Sequence, residues 1–188
     1  MSVKAKLSRV SDWFGKWEKG SREVSITGNY AVACRFKVAE DMEFEAGKAL
    51  IYAWLRGLAA NYQVDFGVFD DDAGKPKDLV NFGLTKPTVP TVLSLVGTRL
   101  TNAISWKKDE HYWLAMIVNA DARYYVDDGE VNQWGQCIDY WYNGWDDPWD
   151  SDAVTPPTEI YDDYAISIHI LIRSVDLPSP LKVKGDDQ

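Results

Sequence analysis

Residues 62–78, YQVDFGVFDDDAGKPKD, decide the fold class. Tyr62, Val64, Phe66 and Val68 alternate with Gln63, Asp65 and Gly67, the period of two that sends successive side chains to opposite faces of a strand. The run ends in DDDAGKPKD, where Gly74 and Pro76 signal a turn. The same pattern repeats outward in both directions. Upstream, Tyr30, Val32, Cys34, Phe36 and Val38 alternate with Ala31, Ala33, Arg35, Lys37 and Ala39, predicting a half-buried strand. Met42, Phe44 and Ala46 alternate with Asp41, Glu43 and Glu45. Residues 49–56, ALIYAWLR, are apolar at both parities and predict a strand buried on two faces. Downstream, short apolar runs at 78–84, 91–96 and 100–106 precede a KKDE turn. HYWLAMIVNA, ARYYV, QCIDYWYN and YAISIHILIR follow as strands. In the last of these, Tyr164, Ile166, Ile168, Ile170 and Ile172 share one face.

These are about ten short strands at intervals of about 8–12 residues, with no long helix, so the chain is expected to be an all-β antiparallel sandwich, a jelly roll in particular. Its 188 residues make one domain, long enough to bury a core. Residues 1–20 read as an N-terminal arm. Val10, Phe14 and Trp17 have helical spacing, but Gly15 and Gly20 argue against a long helix, and the arm's aromatics are expected to pack on the body or on a neighbouring subunit. The sandwich domain spans 21–175, and 176–188, with two prolines, form a tail.

The charge is uneven. From Asp121 to Asp163 there are twelve acidic residues and one basic one, Arg123, so this stretch carries −11 of a net −9 and the rest of the chain sums to +2. A nucleic-acid site needs the opposite sign, which excludes that class. No run of about 18 apolar residues exists to span a membrane. The N-terminal residues lack the apolar core of a signal peptide, so a particle surface or the cytoplasm is the expected location. Two cysteines, Cys34 and Cys137, and two histidines do not make a zinc site. Both thiols are expected to be buried small hydrophobes, and a disulfide between them needs Cα atoms within about 7 Å.

The stretch that points to function is 134–149, WGQCIDYWYNGWDDPW. Aromatics at Tyr140, Trp141 and Tyr142 occupy both parities, so an extended strand there turns at least one ring away from the core. Trp145 and Trp149 follow, with Asp139, Asn143, Asp146 and Asp147 interleaved. Rings beside carboxylates and amides suit a glycan, because the ring covers the C–H face of a sugar while the oxygens take its hydroxyls. They suit a wet protein interface as well, and both readings stay open. The competing bland reading has one or two rings closing the sandwich edge.

Three further groups carry chemistry in principle. Asp70, Asp71 and Asp72 crowd one hairpin, as a hard cation such as calcium requires; without D-x-D-x-D-G spacing a solvated turn is the competing reading, and no metal or other cofactor is expected. Asp41, Glu43 and Glu45 put three carboxylates on one strand face, as in jelly-roll glycosidases. The order is D-x-E-x-E rather than E-x-D-x-E, and an exposed polar face is preferred. His111 and His169 have no Ser, Cys or acid in a recognisable catalytic pattern and read as structural.

The succession FGVFDDDAGKPKD, LVGTRLTNAISWKKDEHYWLAMIVNADARYYV, YWYNGW and IYDDYAISIHI resembles a broad group of jelly-roll domains found in bacterial and archaeal surface proteins and in phage structural proteins, related in shape to carbohydrate-binding modules. The resemblance covers about residues 25–173. It implies a jelly roll, a non-enzymatic role and an acidic pair, Asp162 and Asp163, that caps the loop before the last strand. The chain departs from the surface proteins of that group as a lone domain with an aromatic arm and a tail, which is more like virion accessory proteins. The expectation is therefore a non-enzymatic accessory or attachment protein of a surface assembly, homo-oligomeric or part of a larger one, with a glycan as a further partner. A soluble carbohydrate-binding module and a glycoside hydrolase are the alternatives.

Overall fold

The computed structural model describes residues 13–128, 134–137, 159–161 and 164–172. They form strands β1 (Trp13–Gly15), β2 (Arg22–Ile26), β3 (Ala31–Lys37), β4 (Met42–Phe44), β5 (Ala49–Gly57), β6 (Tyr62–Asp72), β7 (Lys75–Phe82) and β8 (Thr88–Val89). Then follow β9 (Ser94–Arg99), β10 (Ile104–Trp106), β11 (His111–Val118), β12 (Ala122–Asp128), β13 (Trp134–Cys137), β14 (Glu159–Tyr161), β15 (Tyr164–Ile166) and β16 (Ile168–Ile172). The protein is an all-β antiparallel sandwich. Its sixteen strands exceed the expected ten because β1, β4, β8, β10 and β13–β15 are two to four residues long, too short to show a period.

One sheet is built around β5. The strand pairs with β9 along one edge; β16 takes Ala49–Ala53 and β12 takes Leu55–Gly57 on the other. β1 adds to β16, and β2 adds to β12. A bend at Ser167 lets the chain leave β12, which β15 pairs, and run on along β5 as β16. The second sheet has the order β14-β13-β3-β11-β6-β7, with β8 pairing the start of β6. The β6–β7 hairpin closes through Ala73 and Gly74, both at positive φ (52° and 86°), the backbone a two-residue hairpin turn requires.

Between the sheets lies the main core, with Val32, Cys34, Ile51, Leu55, Phe66, Leu114, Met116, Tyr124 and Ile170 fully or almost fully buried. A two-stranded ribbon, β4 with β10, caps the core beside Lys37 and His111 and turns Met42, Phe44, Ile104 and Trp106 inward. The arm enters this same cluster. Phe14 is 4% exposed, meets Trp106 edge-on with ring centroids 4.8 Å apart, and lies 5.9 Å from Phe36. Trp13–Gly15 of the lead-in is therefore a strand of the sandwich, not part of a helix.

Two burial expectations change. The strand at 49–57 is buried on one face only: Ala49, Ile51, Ala53 and Leu55 face inward, while Leu50, Tyr52, Trp54 and Arg56 are half-buried. The strand at 31–37 is buried on both faces over its first half. Ala31 and Ala33 join Phe69, Trp113, Ala115 and Ile117 in a second apolar cluster on the outer face of the second sheet. Small residues at one parity looked like a solvent face because alanine is compatible with either.

Phe14→Ala is expected to cost about 3–5 kcal/mol in urea unfolding, the range for removing a core aromatic. A loss under about 1 kcal/mol would show that β1 adds nothing to the core.

Candidate functional site

The second sheet holds the ends of the aromatic acidic stretch. β13 pairs with β3, with Trp134 opposite Cys34 and Cys137 opposite Ala31. β14 returns along β13, with Glu159 opposite Gln136. Strands β13 and β14, which flank residues 138–158 in the sequence, pair with each other at one margin of the described sheet. The predicted ligand residues Asp139, Tyr140, Trp141, Tyr142, Asn143, Trp145, Asp146, Asp147 and Trp149 lie outside the described residues, as do Asp162 and Asp163.

β13 pairs with β3 over Ala31–Cys34 and ends, at Cys137, opposite Ala31, whereas the carboxylates at 41–45 follow the other end of β3, Lys37. Six residue steps at about 3.3 Å separate these ends by about 20 Å. The same register places Cys137 three steps along from Cys34, about 10 Å and beyond disulfide reach. Cys34 is a free, buried thiol whose pKa burial pushes up to about 12, which leaves it unreactive.

The three hairpin aspartates do not converge. Asp70 accepts the Asp78 backbone N–H at 2.6 Å, and Asp72 pairs with Lys77 at 3.6 Å. Asp71 turns onto the outer face of the sheet. Its carboxylate accepts Arg35 Nε and Nη2, both at 2.7 Å, Trp113 Nε1 at 2.8 Å and the Gly74 N–H at 3.3 Å. Burial pushes the Asp71 carboxyl up, but the bonds from Arg35 and Trp113 outweigh it and hold the group below the usual carboxylate range. Its oxygens are thus engaged by Arg35, Trp113 and Gly74. Among the described residues no group of acids, histidines and cysteines is placed to hold a metal ion.

The face at 41–45 is exposed, with Met42 and Phe44 turned in and Asp41, Glu43 and Glu45 out. Asp41 accepts the Lys108 backbone N–H at 2.8 Å and the Lys107 ammonium at 3.1 Å, bonds that hold its carboxyl below the usual range. A general acid needs the opposite shift. Glu43 and Glu45 border an open groove of about 520 Å³ with Phe44, Ala103, Ile104 and Ser105.

The two histidines part company. His111 opens β11 half-buried, its pKa lowered by burial and by nearby Arg35. His169 is fully buried on the outer face of the first sheet, against Tyr52 and Trp17. The Arg35–Asp71–Trp113 and Trp17–His169–Tyr52 groups were both missed from sequence. Parity places Arg35 and Trp113 off the main core, but only register brings Asp71 between them.

Comparison with known protein families returns no match, and none of the curated proteins matches the chain.

In a double-mutant cycle on urea unfolding, Arg35→Ala and Asp71→Asn are expected to couple by about 1–2 kcal/mol, because the pair is bidentate and mostly shielded from water. Additive losses would show that the two groups act independently.

Proposed function

We propose that the protein is a non-enzymatic accessory or attachment protein of a surface assembly, of virion type, built on a sandwich of jelly-roll kinship. It engages a glycan, or a partner surface, through residues 134–150. The observation that carries this reading is the composition of that segment together with its setting. Four tryptophans and two tyrosines are interleaved with carboxylates in a stretch that begins in β13, and β13 pairs with β3 and with β14. Sheet proteins often carry binding residues in the chain between paired strands, because the ladder fixes where that chain begins and ends. Rings supply contact area and carboxylates supply acceptors, the two parts of a sugar site. Against a glycosidase stands the state of Asp41, which is held ionised by two lysine residues.

Purified protein titrated with a panel of polysaccharides and cell-wall glycans is expected to show a saturable change in tryptophan fluorescence. Trp141→Ala and Trp145→Ala are each expected to weaken it about tenfold, or about 1.4 kcal/mol. No change with any glycan would remove the glycan part of the proposal and leave a protein-facing role. Release of reducing ends that stops in Glu43→Gln would overturn the non-enzymatic reading.

A further inference from the structure

Among the described residues, His169 is a buried imidazole whose ring nitrogens are both unpartnered. It is 0% exposed, and neither Nδ1 nor Nε2 makes a hydrogen bond of acceptable geometry. Its ring stacks on Tyr52 of β5, with centroids 5.6 Å apart and planes at 24°, and Trp17 meets it edge-on at 4.6 Å. Tyr52 cannot retreat: its ring lies over Gly97 of β9, so closely that a Cβ there would collide with it. Trp17 belongs to a short strap, Lys16–Gly20, that runs from β1 towards β2 and is 41% exposed at this residue.

Bonds at both ends and at Trp17 hold the strap. The Lys16 N–H donates to the Ile168 carbonyl at 2.8 Å, and the Gly20 N–H donates to Ser167 Oγ at 2.7 Å. Lys16 Nζ pairs with Asp127 at 2.6 Å, Asp127 also accepts the Ser21 N–H at 2.6 Å, and Trp54 Nε1 donates to the Trp17 carbonyl at 3.3 Å.

We propose that His169 is an acid-sensitive latch: protonation of its buried ring releases the Lys16–Gly20 strap, lifts Trp17 and exposes the aromatic outer face formed with Tyr52 and Trp54. An imidazolium carries two N–H donors and a charge into a buried place where, among the described residues, neither ring nitrogen has a hydrogen-bond partner, and the strap is a cover that lies outside the strand ladders. Phe14, set in the core, keeps β1 in place while the strap opens.

The groups around the ring set the sign. Besides Tyr52 and Trp17, the strap carries Lys16, whose ammonium is held by Asp127, and the exposed Glu18 and Lys19, the latter over the Tyr125 ring at 4.4 Å. β9 contributes Arg99, exposed and opposite Leu50. Among the described residues no carboxylate bonds to the imidazole. Burial pushes its pKa down to about 4, against a smaller opposing pull from the Lys16 backbone. In the opened state the ring regains its ordinary value, near 6.5. Between these values the open form binds a proton that the closed form refuses, so closure is intact above about pH 6.5 and weakens as pH falls towards 4. Asp127 acts in another window. Lys16 and Ser21 hold its carboxyl far below the usual range, so its grip persists until more acid conditions.

The test is hydrogen exchange of the full chain, read on the peptide covering residues 13–21 and corrected for intrinsic rates. Relative to pH 7.5, strap opening is expected to rise about tenfold at pH 5.5 and about 70-fold at pH 4.5, while β11 stays protected. In His169→Phe, opening is expected to stay flat over that range. A flat wild-type profile, or the same slope in His169→Phe, would overturn the proposal. An NMR titration of the wild-type ring decides the matter without any variant: a value near 6.5 sinks the latch, and one at or below about 5 supports it.

Discussion

Six consecutive residues of β11, Trp113 to Val118, are buried, and the rest of the sandwich is arranged to satisfy that constraint. A strand buried at both parities needs apolar cover on both faces and hydrogen-bond partners on both edges. The edges are met by β3 and β6 through seven residue pairs each. Leu114, Met116 and Val118 find their cover in the first sheet and the ribbon. Trp113, Ala115 and Ile117 meet Ala31, Ala33 and Phe69 on the outer face. That outer face ends where Arg35 and Asp71 begin, and the indole N–H of Trp113 bonds to Asp71 at this boundary. The largest side chain of the strand thus has its apolar body in the cluster and its one donor at the polar margin.

How much of this was legible follows from which signals are local. Alternation at 62–68 located β6, and the Ala73–Gly74 turn fixed its hairpin partner, because period and turn chemistry depend on neighbours in the chain. Strands of two to four residues were not legible, since their signal is shorter than the period that would reveal it. The outer cluster was missed because Ala31 and Ala33 say nothing about burial until β11 is laid beside them. The candidate site divides in the same way. The aromatic and acidic content of 134–150 is a property of the sequence, and the strands β13 and β14 that bracket it are a property of register. The sequence placed Asp70, Asp71 and Asp72 together, but alternation in a strand sends neighbours to opposite faces, and Asp71 parted from the other two.

The charge asymmetry gains a physical setting from the first sheet. Glu23 accepts Arg56 at 2.5 Å and the Tyr125 hydroxyl at 2.7 Å, with Arg123 at 3.5 Å. Two arginines thus share one carboxylate there, and Lys19 lies nearby over Tyr125. These cations are partly neutralised at short range, whereas the segment 138–158 contains five aspartates and no basic residue. Any partner of that segment gains by bringing donors or positive charge, and such attraction sets encounter rate and register more than final affinity.

The position of Phe14 changes how assembly should be probed. If the residues before the sandwich reach a neighbour, deletion of 1–20 looks like the natural test, yet it also removes β1 and a core aromatic in contact with Trp106. The shortened chain would lose core stability as well as any contact, and the two losses would give the same readout. Removing residues 1–12 instead leaves Trp13–Gly15 on β16, Phe14 in the core and the strap over His169. A change in oligomeric state after that cut, with unfolding unaltered, belongs to the residues removed and not to a damaged sheet.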